Sequence, residues 1–306
     1  MRVLLAGGAG FLGSHLAEAL VANGDKVVII DNLSSGLLSN LDAIEDKIEF
    51  VKGDITKELS VKGSIDLVVN MASRAARKEW ETYPVEIALA NSVGTNNLAR
   101  LAVSKKAKLI YASTSELYAN PEVVPTPETY LARLDHLSSR APYDESKKFG
   151  ETLIKAYEAQ YGLKNIIIRF FNAYGPRMRG GEMYGRVIDR FMKQAIAGEA
   201  LTVYGNGKQT RSFTYVSDTI AGVMLLIKKG KNAQVYNLGS SIETRVIDLA
   251  KMVIETTGSK SKIEYRPLPP DDPQRRAADS SKIAALGWAP KVPIKQGLKQ
   301  MLKFYK

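Results

Sequence analysis

The sequence contains no cysteine and only two histidines, His15 and His136. The first absence excludes disulfide bonds and thiolate metal sites, and the second disfavours a metal site built from histidines. We therefore expect no bound metal. A chain without cysteine fits the reducing cytosol, and it also suits proteins from hot environments.

Long apolar runs are lacking as well. The N-terminus begins like a signal peptide, with one arginine before an apolar stretch, but several glycines, His15 and Glu18 interrupt that stretch. Elsewhere no apolar run approaches the roughly 20 residues that span a bilayer. We expect a soluble, cytoplasmic protein with no membrane partner.

Acidic residues are scarcer than basic ones, with 32 Asp+Glu against 43 Lys+Arg, so the formal net charge is +11. Such a charge favours polyanionic ligands such as nucleic acids, anionic membranes or nucleotides. The basic residues are dispersed, and the densest short clusters are only Lys105-Lys106 and Lys228-Lys229. This pattern is more typical of a solvated surface than of a nucleic-acid-binding stripe, and we expect no nucleic-acid partner.

Short apolar runs alternate with amphipathic stretches in the first half of the chain. Strands are predicted at 2–6, 26–31, 48–52, 67–71, 109–112 and 166–170, and helices at 11–23, 85–104 and 143–161. The less regular second half predicts a strand at 234–239 and helices at 187–197, 217–228, 244–257, 280–286 and 294–304. The alternation predicts right-handed βαβ units, and hence an α/β fold with a Rossmann-type, doubly wound parallel sheet and a smaller, mostly C-terminal α/β domain.

A glycine-rich turn follows the first predicted strand and opens the first predicted helix. Gly7 permits a tight turn, Gly10 lets the backbone approach a pyrophosphate, and Gly13 allows close packing of helix on strand. The second predicted strand ends in Asp31, eighteen residues after Gly13. A carboxylate there accepts hydrogen bonds from a ribose and repels a 2′-phosphate, so the pattern indicates NAD rather than NADP.

Tyr143 and Lys147 lie four residues apart in a predicted helix, which puts both on one helical face. A phenol with a pKa near ~10 is a poor base at neutral pH, but a neighbouring ammonium stabilises the phenolate. Tyr143 could then take a proton from a sugar hydroxyl while hydride leaves the same carbon for NAD. Taken alone, this pair is common on ordinary exposed helices.

Three motifs occur in order: the glycine turn, the segment Ser113-Thr114-Ser115 after a later strand, and the Tyr143/Lys147 pair. With them the sequence resembles the extended short-chain dehydrogenase/reductase family, whose members modify nucleotide sugars. The resemblance spans essentially the whole chain, and further stretches recur in register, namely DNLSSG, GDI, ANSVGT, FFNAYGP and LTVYGNGKQTRSFTYVSD.

Within that family the sequence is most similar to the decarboxylases that act on UDP-glucuronate. Five stretches carry this similarity: TSELYANP, RAPYDESKKFGETL, RFFNAYGPRM, LTVYGNGKQTRSFTYVSD and DDPQRRAADSSKIAALGWAPK. Glu116 is the discriminating residue, since epimerases of the family usually carry a small or hydroxyl residue there and dehydratases an Asp-Glu pair. The resemblance implies decarboxylation of UDP-glucuronate to UDP-xylose through a transient 4-keto sugar, with NAD recycled.

The resemblance also implies a role for individual residues. The expected catalytic residues are Tyr143 as base, Lys147, Thr114, Ser115, Glu116 and Arg276. The expected cofactor contacts are Gly7, Gly10, Phe11, Leu12, Gly13, Asp31, Asn32, Ser35, Gly36, Asp54, Ile55, Ala72, Asn91, Tyr143 and Lys147. The expected substrate contacts are Asn172, Arg186, Val187, Tyr204, Gln209, Arg211, Arg275 and Arg276, with Arg275 replacing Arg276 near the substrate carboxylate if the register slips by one.

A domain division and an assembly follow from the same resemblance. We expect residues 1–171 with about 212–238 to bind NAD, and about 172–211 with 239–306 to bind the nucleotide sugar. Helices 85–104 and 143–161 are expected to pair with a second subunit in a homodimer.

Glu116 is unexpected beside a substrate carboxylate, because like charges repel. We hypothesise that it destabilises the bound carboxylate or, when protonated, delivers a proton. Read without its neighbours, Glu116 would be a solvated loop residue.

Some positions depart from the family pattern. The segments 72–80 (ASRAARKEW) and 130–134 (YLARL) differ where the family borders its sugar pocket, and Ala278 replaces a proline. A UDP-sugar 4-epimerase, acting on UDP-glucose/UDP-galactose or on UDP-glucuronate, is therefore the alternative enzyme. A non-catalytic NAD(H)-binding regulator is the alternative from another class.

Overall fold

The structure, a computed structural model, describes residues 1–178, 186–268 and 272–305. Its strands are β1 (Arg2–Ala6), β2 (Lys26–Asp31), β3 (Ile48–Lys52), β4 (Leu67–Asn70), β5 (Lys108–Thr114), β6 (Asn165–Phe170), β7 (Ala173–Tyr174), β8 (Leu201–Tyr204), β9 (Thr210–Ser212), β10 (Thr214–Tyr215), β11 (Gln234–Leu238), β12 (Glu243–Arg245), β13 (Ile263–Arg266) and β14 (Arg275–Arg276). Its α-helices are α1 (Phe11–Ala22), α2 (Arg77–Thr82), α3 (Pro84–Leu89), α4 (Thr95–Lys105), α5 (Ala141–Tyr161), α6 (Val187–Ala197), α7 (Val216–Lys229), α8 (Val246–Thr257), α9 (Ser281–Ala284) and α10 (Ile294–Tyr305).

The main sheet of the described residues has seven parallel strands in the order β11–β6–β5–β4–β1–β2–β3. Leu5 of β1 pairs with Ile29 of β2 on one side and with Val69 of β4 on the other. From β1 the chain adds β2 and β3 on one side of the sheet. It then crosses to the other side of β1 and adds β4, β5, β6 and β11. Ligands of such sheets bind beyond the carboxyl ends of the strands at this switch point. The predicted doubly wound α/β fold is confirmed.

The two faces of the sheet bury separate cores, as the alternation of side chains along a strand requires. On one face Leu5 lies in a cluster with Leu16 of α1 and Val223 of α7. On the other, Leu4 lies in a cluster with Leu98 of α4 and Ile154 of α5. Strands covered on both faces read as nearly continuous apolar runs, which is why RVLLA and KVVIID were recognisable as strands.

Several elements differ from the prediction. The helix expected over 85–104 is interrupted by a π turn at Ala90–Gly94, between α3 and α4. The short helix α2 and the parallel pair β8–β13 were not predicted. A three-stranded sheet, β12–β9–β14, places Arg276 beside Arg211 in register. In the part of the chain that the structure describes, no helix has both the length and the apolar character needed to cross a bilayer.

Candidate active site

A cleft of about 650 Å³ opens at the carboxyl edge of the main sheet. It is lined by the glycine turn after β1, the end of β5, the first turns of α5, and residues of β8, β9 and β14. A smaller cleft of about 190 Å³ adjoins it and shares Gly7, Gly10 and Ser35 with it. The switch point of the sheet therefore carries the site, as the topology requires.

The glycine turn is shaped to receive a group that needs close backbone approach. Gly7 has φ +78°, and a Cβ there would lie 2.7 Å from the backbone of Ala72. A Cβ on Gly13 would lie 2.0 Å from the carbonyl oxygen of Gly7. Helix α1 begins at Phe11 with Gly10 as its N-cap, and no side chain occupies the cap. The free N–H groups of this helix end and the narrow turn fit a dinucleotide pyrophosphate.

Asp31, at the end of β2, lies in the smaller cleft. Its carboxylate accepts hydrogen bonds from the backbone N–H groups of Ala9 (3.0 Å) and Leu33 (2.8 Å). Burial raises the pKa of Asp31, and these two hydrogen bonds oppose that rise. The carboxylate thus ties the glycine turn to the loop after β2, and Asp31 lines the smaller cleft, where the sequence predicts a ribose.

Most of the predicted cofactor residues line one cleft or the other. The larger cleft includes Gly7, Gly10, Phe11, Leu12, Gly13, Ser35, Tyr143 and Lys147. The smaller one includes Gly7, Gly10, Asp31, Asn32, Ser35, Gly36, Asp54, Ile55 and Ala72. Asn91 lies outside both linings, and its amide donates to the Ser146 hydroxyl at 3.0 Å, which joins the π turn to α5.

Lys147 projects from α5 to the end of β5, where its ammonium donates to the carbonyl oxygen of Ala112 at 2.8 Å. Its ammonium also lies 4.9 Å from the ring centroid of Tyr111. Burial lowers the pKa of Lys147 to about 7, against the opposing charge of Glu151. Lys147 can therefore gain and lose a proton near neutral pH.

Tyr143 lies one helical turn before Lys147, is buried, and lines the larger cleft. Burial raises the pKa of Tyr143 to about 12, and the hydroxyl of Thr114 and the charge of Arg186 act in the opposite direction. Burial alone therefore works against a phenolate here, and positive charge near the phenol is what can restore one.

Glu116 is not a solvated loop residue. The hydroxyl of Thr114 caps the turn at Ser115–Tyr118 by accepting the N–H of Glu116 at 3.2 Å, which directs the carboxylate into the larger cleft. There Glu116 accepts hydrogen bonds from the guanidinium groups of both Arg140 and Arg276. Two guanidinium partners stabilise the ionised carboxylate.

Arg140 is a residue that the sequence reasoning missed. It precedes α5, lines the larger cleft, and also donates through Nε to Asp144 at 3.3 Å. Burial lowers the pKa of Arg140, and the charge of Arg276 adds to this effect. Its position three residues before Tyr143 was the available signal, since that spacing brings two side chains together at a helix start.

The two residues of β14 lie on opposite faces of the strand, as alternation of side chains requires: Arg276 lines the site and Arg275 does not. Arg276 is buried in the larger cleft, and it donates to the carbonyl oxygen of Ala119 at 3.3 Å. The side chain of Arg275 is 56% exposed and pairs with Glu243, outside the lining of either cleft. The geometry favours Arg276 over the Arg275 alternative.

The remaining predicted substrate residues line the larger cleft, namely Asn172, Arg186, Val187, Tyr204, Gln209 and Arg211. Arg211 pairs with Asp272 at 2.9 Å, and the Gln209 amide donates to the carbonyl oxygen of Tyr204 at 2.8 Å. The Asn172 amide donates to the carbonyl oxygen of Ser212 at 2.9 Å. These bonds order the far wall of the cleft.

Segment 72–80, which departs from the family pattern, also borders the larger cleft. Arg74 pairs there with Glu79 at 2.9 Å. Trp80 of α2 stacks on Tyr143, with ring centroids 4.4 Å apart and planes inclined by 10°. Neither Arg74 nor Trp80 was singled out, because no local pattern placed α2 beside α5.

Basic side chains dominate the larger cleft among the residues that the structure describes. The basic members of its lining are Arg74, Arg77, Lys78, Arg140, Lys147, Arg177, Arg186, Arg190, Arg211 and Arg276, and the acidic members are Glu79, Glu116 and Asp272. A cleft with this balance attracts a ligand that carries several negative charges.

Proteins of known name are similar to this chain over nearly its whole length. The chain is 38% identical over 99% of its length to UDP-glucuronic acid decarboxylase 1 of Danio rerio, 72% of which is covered. It is 39% identical over its full length to UDP-glucuronic acid decarboxylase 4 of Arabidopsis thaliana, 69% of which is covered.

Solved structures give the same fold. The UDP-glucose 4-epimerase of Thermotoga maritima, solved with UDP-glucose, has a TM-score of 0.92 at 30% identity, with 100% of this chain and 98% of that one covered. A dTDP-glucose 4,6-dehydratase of Streptomyces venezuelae, solved with NAD, has a TM-score of 0.90 at 26% identity, with 100% and 97% covered.

Residues 3–239 match the model of a family described as NAD dependent epimerases and dehydratases. This description confirms the expected NAD cofactor. The chain belongs to the NAD dependent epimerase/dehydratase family.

Proposed function

We propose that the chain decarboxylates UDP-glucuronate to UDP-xylose and that NAD is recycled within the site. The observation that carries the proposal is Glu116 held between Arg140 and Arg276 at the end of β5, inside a cleft rich in basic side chains. The relatives named UDP-glucuronic acid decarboxylases, which match the full chain, support it.

The charge of the cleft supports the acidic sugar. UDP-glucuronate carries a carboxylate in addition to its diphosphate, whereas a neutral UDP-hexose carries the diphosphate alone. Arg211 suits the diphosphate end and is already paired with Asp272. Arg276 and Arg140 form a second cationic group beside Tyr143, where the carboxylate of the sugar would lie.

Bound NAD would supply a hydride acceptor for C4 of the sugar and would return the hydride after carbon dioxide has left. Tyr143 takes the proton of the C4 hydroxyl, which Thr114 helps to orient. The charge of Arg186 favours the phenolate form of Tyr143, against the effect of burial. Lys147, one helical turn after Tyr143, has a pKa of about 7 and would take up or release a proton near neutral pH.

Decarboxylation then follows from the position of the new ketone. A C4 carbonyl lies β to the C6 carboxylate, so the C5–C6 bond breaks with its electrons flowing into the carbonyl. Carbon dioxide leaves, and the enolate oxygen is stabilised by the hydroxyls of Thr114 and Tyr143. The C5 carbon takes up one proton, which comes from solvent in the overall balance. The hydride held by the cofactor would then return to C4 while Tyr143 gives its proton back to the C4 oxygen, which yields UDP-xylose.

For Glu116 we propose a third role beside the repulsion and proton-delivery hypotheses. Its two guanidinium partners favour the anion, which weakens the case for a protonated Glu116 as proton donor. They also compensate its charge, which weakens repulsion of the substrate. In this role Glu116 positions Arg276, so that the outer edge of its guanidinium meets the substrate carboxylate.

The second candidate is a UDP-sugar 4-epimerase, which would use the same Tyr143 and Lys147. The likeness to the Thermotoga maritima epimerase and the altered segment 72–80 favour it. Product analysis by mass spectrometry with UDP-glucuronate and with UDP-glucose separates the candidates. A UDP-pentose with released carbon dioxide supports decarboxylation, and a C4 epimer supports the alternative. Bound NAD without turnover of either sugar would favour a regulator.

A homodimer is part of the proposal. Val85, Leu89 and Val93 recur at intervals of four residues along 84–105 and are 65%, 44% and 38% exposed. Phe149 of the adjoining helix α5 is 51% exposed. This apolar face fits the same face of a second copy, with two helices from each subunit.

The domain division belongs to the proposal too. Residues 1–171 with about 212–238 would bind NAD, and about 172–211 with 239–306 would bind the nucleotide sugar. Strand β11, which pairs with β6 in the main sheet, supports the assignment of its segment to the first domain.

A further inference from the structure

Trp80 contacts the proposed catalytic base over a whole ring face. The indole and the phenol of Tyr143 are nearly parallel, with centroids 4.4 Å apart and an interplanar angle of 10°. Both side chains are buried, and with Ile87 they form a small apolar cluster separate from the two cores of the main sheet. The phenol ring of Tyr143 therefore packs against these two neighbours, while its hydroxyl is hydrogen-bonded to Thr114 at the end of β5.

The other surroundings of Trp80 belong to the same site. The guanidinium carbon of Arg140 lies 5.7 Å from the indole centroid, and Arg140 binds Glu116. The indole N–H is buried and has no hydrogen-bond partner among the described residues. A tryptophan whose N–H is left unbonded contributes through its ring face, so another flat aromatic ring can replace it.

We propose that Trp80 is a positioning residue for Tyr143: its indole holds the phenol ring at the angle that brings the hydroxyl to the sugar, and keeps water from that ring face. The inference rests on the role of Tyr143 in the proposed function. Decarboxylation and 4-epimerisation both use that role, so the inference does not depend on which of the two occurs.

The physical consequence has two parts. Without the indole the phenol can tilt, and small displacements of a reacting group cost rate rather than affinity. Water would also reach the phenol, so the base would ionise at lower pH because its anion is better solvated. A purely structural role would change neither the pH profile nor kcat separately from KM.

The test compares Trp80→Leu with Trp80→Phe, with Trp288→Phe as the matched control. Trp288 is the other tryptophan of the chain and is also buried, and its indole N–H donates to the carbonyl oxygen of Asp218 at 2.9 Å. Rates are measured against pH with UDP-glucuronate, or with UDP-glucose if that is the sugar turned over.

We expect Trp80→Leu to lower kcat at least tenfold, to leave KM within about threefold, and to move the ascending limb of the pH profile down by roughly one unit. Trp80→Phe restores most of the rate, and Trp288→Phe leaves the profile unmoved. Wild-type kcat and profile in Trp80→Leu would overturn the proposal, as would a loss confined to KM.

A second measurement needs no substrate. The emission of Trp80 is obtained as the difference between wild type and Trp80→Phe, and its quenching by acrylamide is compared with and without Tyr143→Ala. Weak quenching that becomes strong after Tyr143→Ala supports the stack, and equal quenching contradicts it. Absence of turnover in the wild type would count against the proposed function, whereas the quenching result would still decide whether the stack exists.

Discussion

Glu116→Gln is the most informative single substitution, because it removes one charge while nearly preserving shape. The carboxylate accepts from two guanidinium groups, and the side chains of Glu116, Arg140 and Arg276 are 18%, 9% and 3% exposed. An amide offers one oxygen in place of two, so at least one hydrogen bond to a charged group is lost. That loss is worth about 1.5–3 kcal/mol, or roughly 10- to 150-fold in rate if it is felt in the transition state.

The assay is release of carbon dioxide from UDP-glucuronate together with mass analysis of the nucleotide product. We expect kcat to fall within that range, with the C4 oxidation affected less than carbon dioxide release. Glu264→Gln is the matched control, because Glu264 pairs with Arg266 where both side chains are more than half exposed. An exposed pair contributes little, so the control should keep the wild-type rate.

Undiminished carbon dioxide release in Glu116→Gln would refute all three roles considered for this residue. If Glu116 acts by positioning Arg276, the double variant Glu116→Gln/Arg276→Met should lose about as much kcat as Arg276→Met alone. Independent, additive losses would instead favour proton delivery by Glu116.

Gly13→Ala should abolish NAD retention, measured as nucleotide released on denaturation, because the new Cβ would lie 2.0 Å from the carbonyl oxygen of Gly7. Lys147→Met should flatten the pH dependence of the free energy of unfolding, measured in urea. The folded-state pKa is about 7 and the ordinary value 10.5, so the unfolded chain holds more protons between these values. Stability therefore rises with pH in that window, by at most about 1.4 kcal/mol per unit for this group. Leu89→Glu should convert a dimer to a monomer in light scattering, because it places charge within the exposed apolar face.

Each of these changes has a matched control. Gly24→Ala, at the other end of α1, strains a φ of +81° but meets nothing within 4 Å, so NAD should stay bound. Lys155→Met alters a half-exposed lysine and should leave the slope with pH unchanged. Leu131→Glu, at a side chain that is 93% exposed, should leave the dimer intact. NAD retained by Gly13→Ala, an unchanged slope in Lys147→Met, or a dimeric Leu89→Glu would contradict the respective argument.

Much of the fold was predictable because its determinants are local. Apolar runs such as KVVIID predict strands buried on both faces. The glycines at 7 and 13 predict a turn that has no room for a Cβ. The π turn at Ala90–Gly94 was not predictable in this way. It lies where a Cβ on Gly94 would come within 2.4 Å of Ile55, which is distant in the sequence.

The candidate site also combines features set by local sequence with contacts between distant parts of the chain. The spacing of Tyr143 and Lys147 is a property of one helix, and it alone places both side chains on one face. The partners of Glu116 are not local, since Arg276 lies 160 residues away and reaches it only because β14 pairs with β9. The same holds for Trp80, whose short helix meets Tyr143 only once α2 and α5 have packed.

Local sequence was therefore sufficient to predict the α/β fold, the glycine turn after β1 and the placement of Tyr143 and Lys147 on one helix, since backbone conformation and helical spacing depend on near neighbours. Packing alone turned Glu116 from a candidate loop residue into a carboxylate bound by two arginines, placed Arg276 rather than Arg275 in the cleft, and brought Trp80 onto Tyr143. Ion pairs and ring stacks form between surfaces that meet in space, and no short stretch of sequence records which surfaces those are.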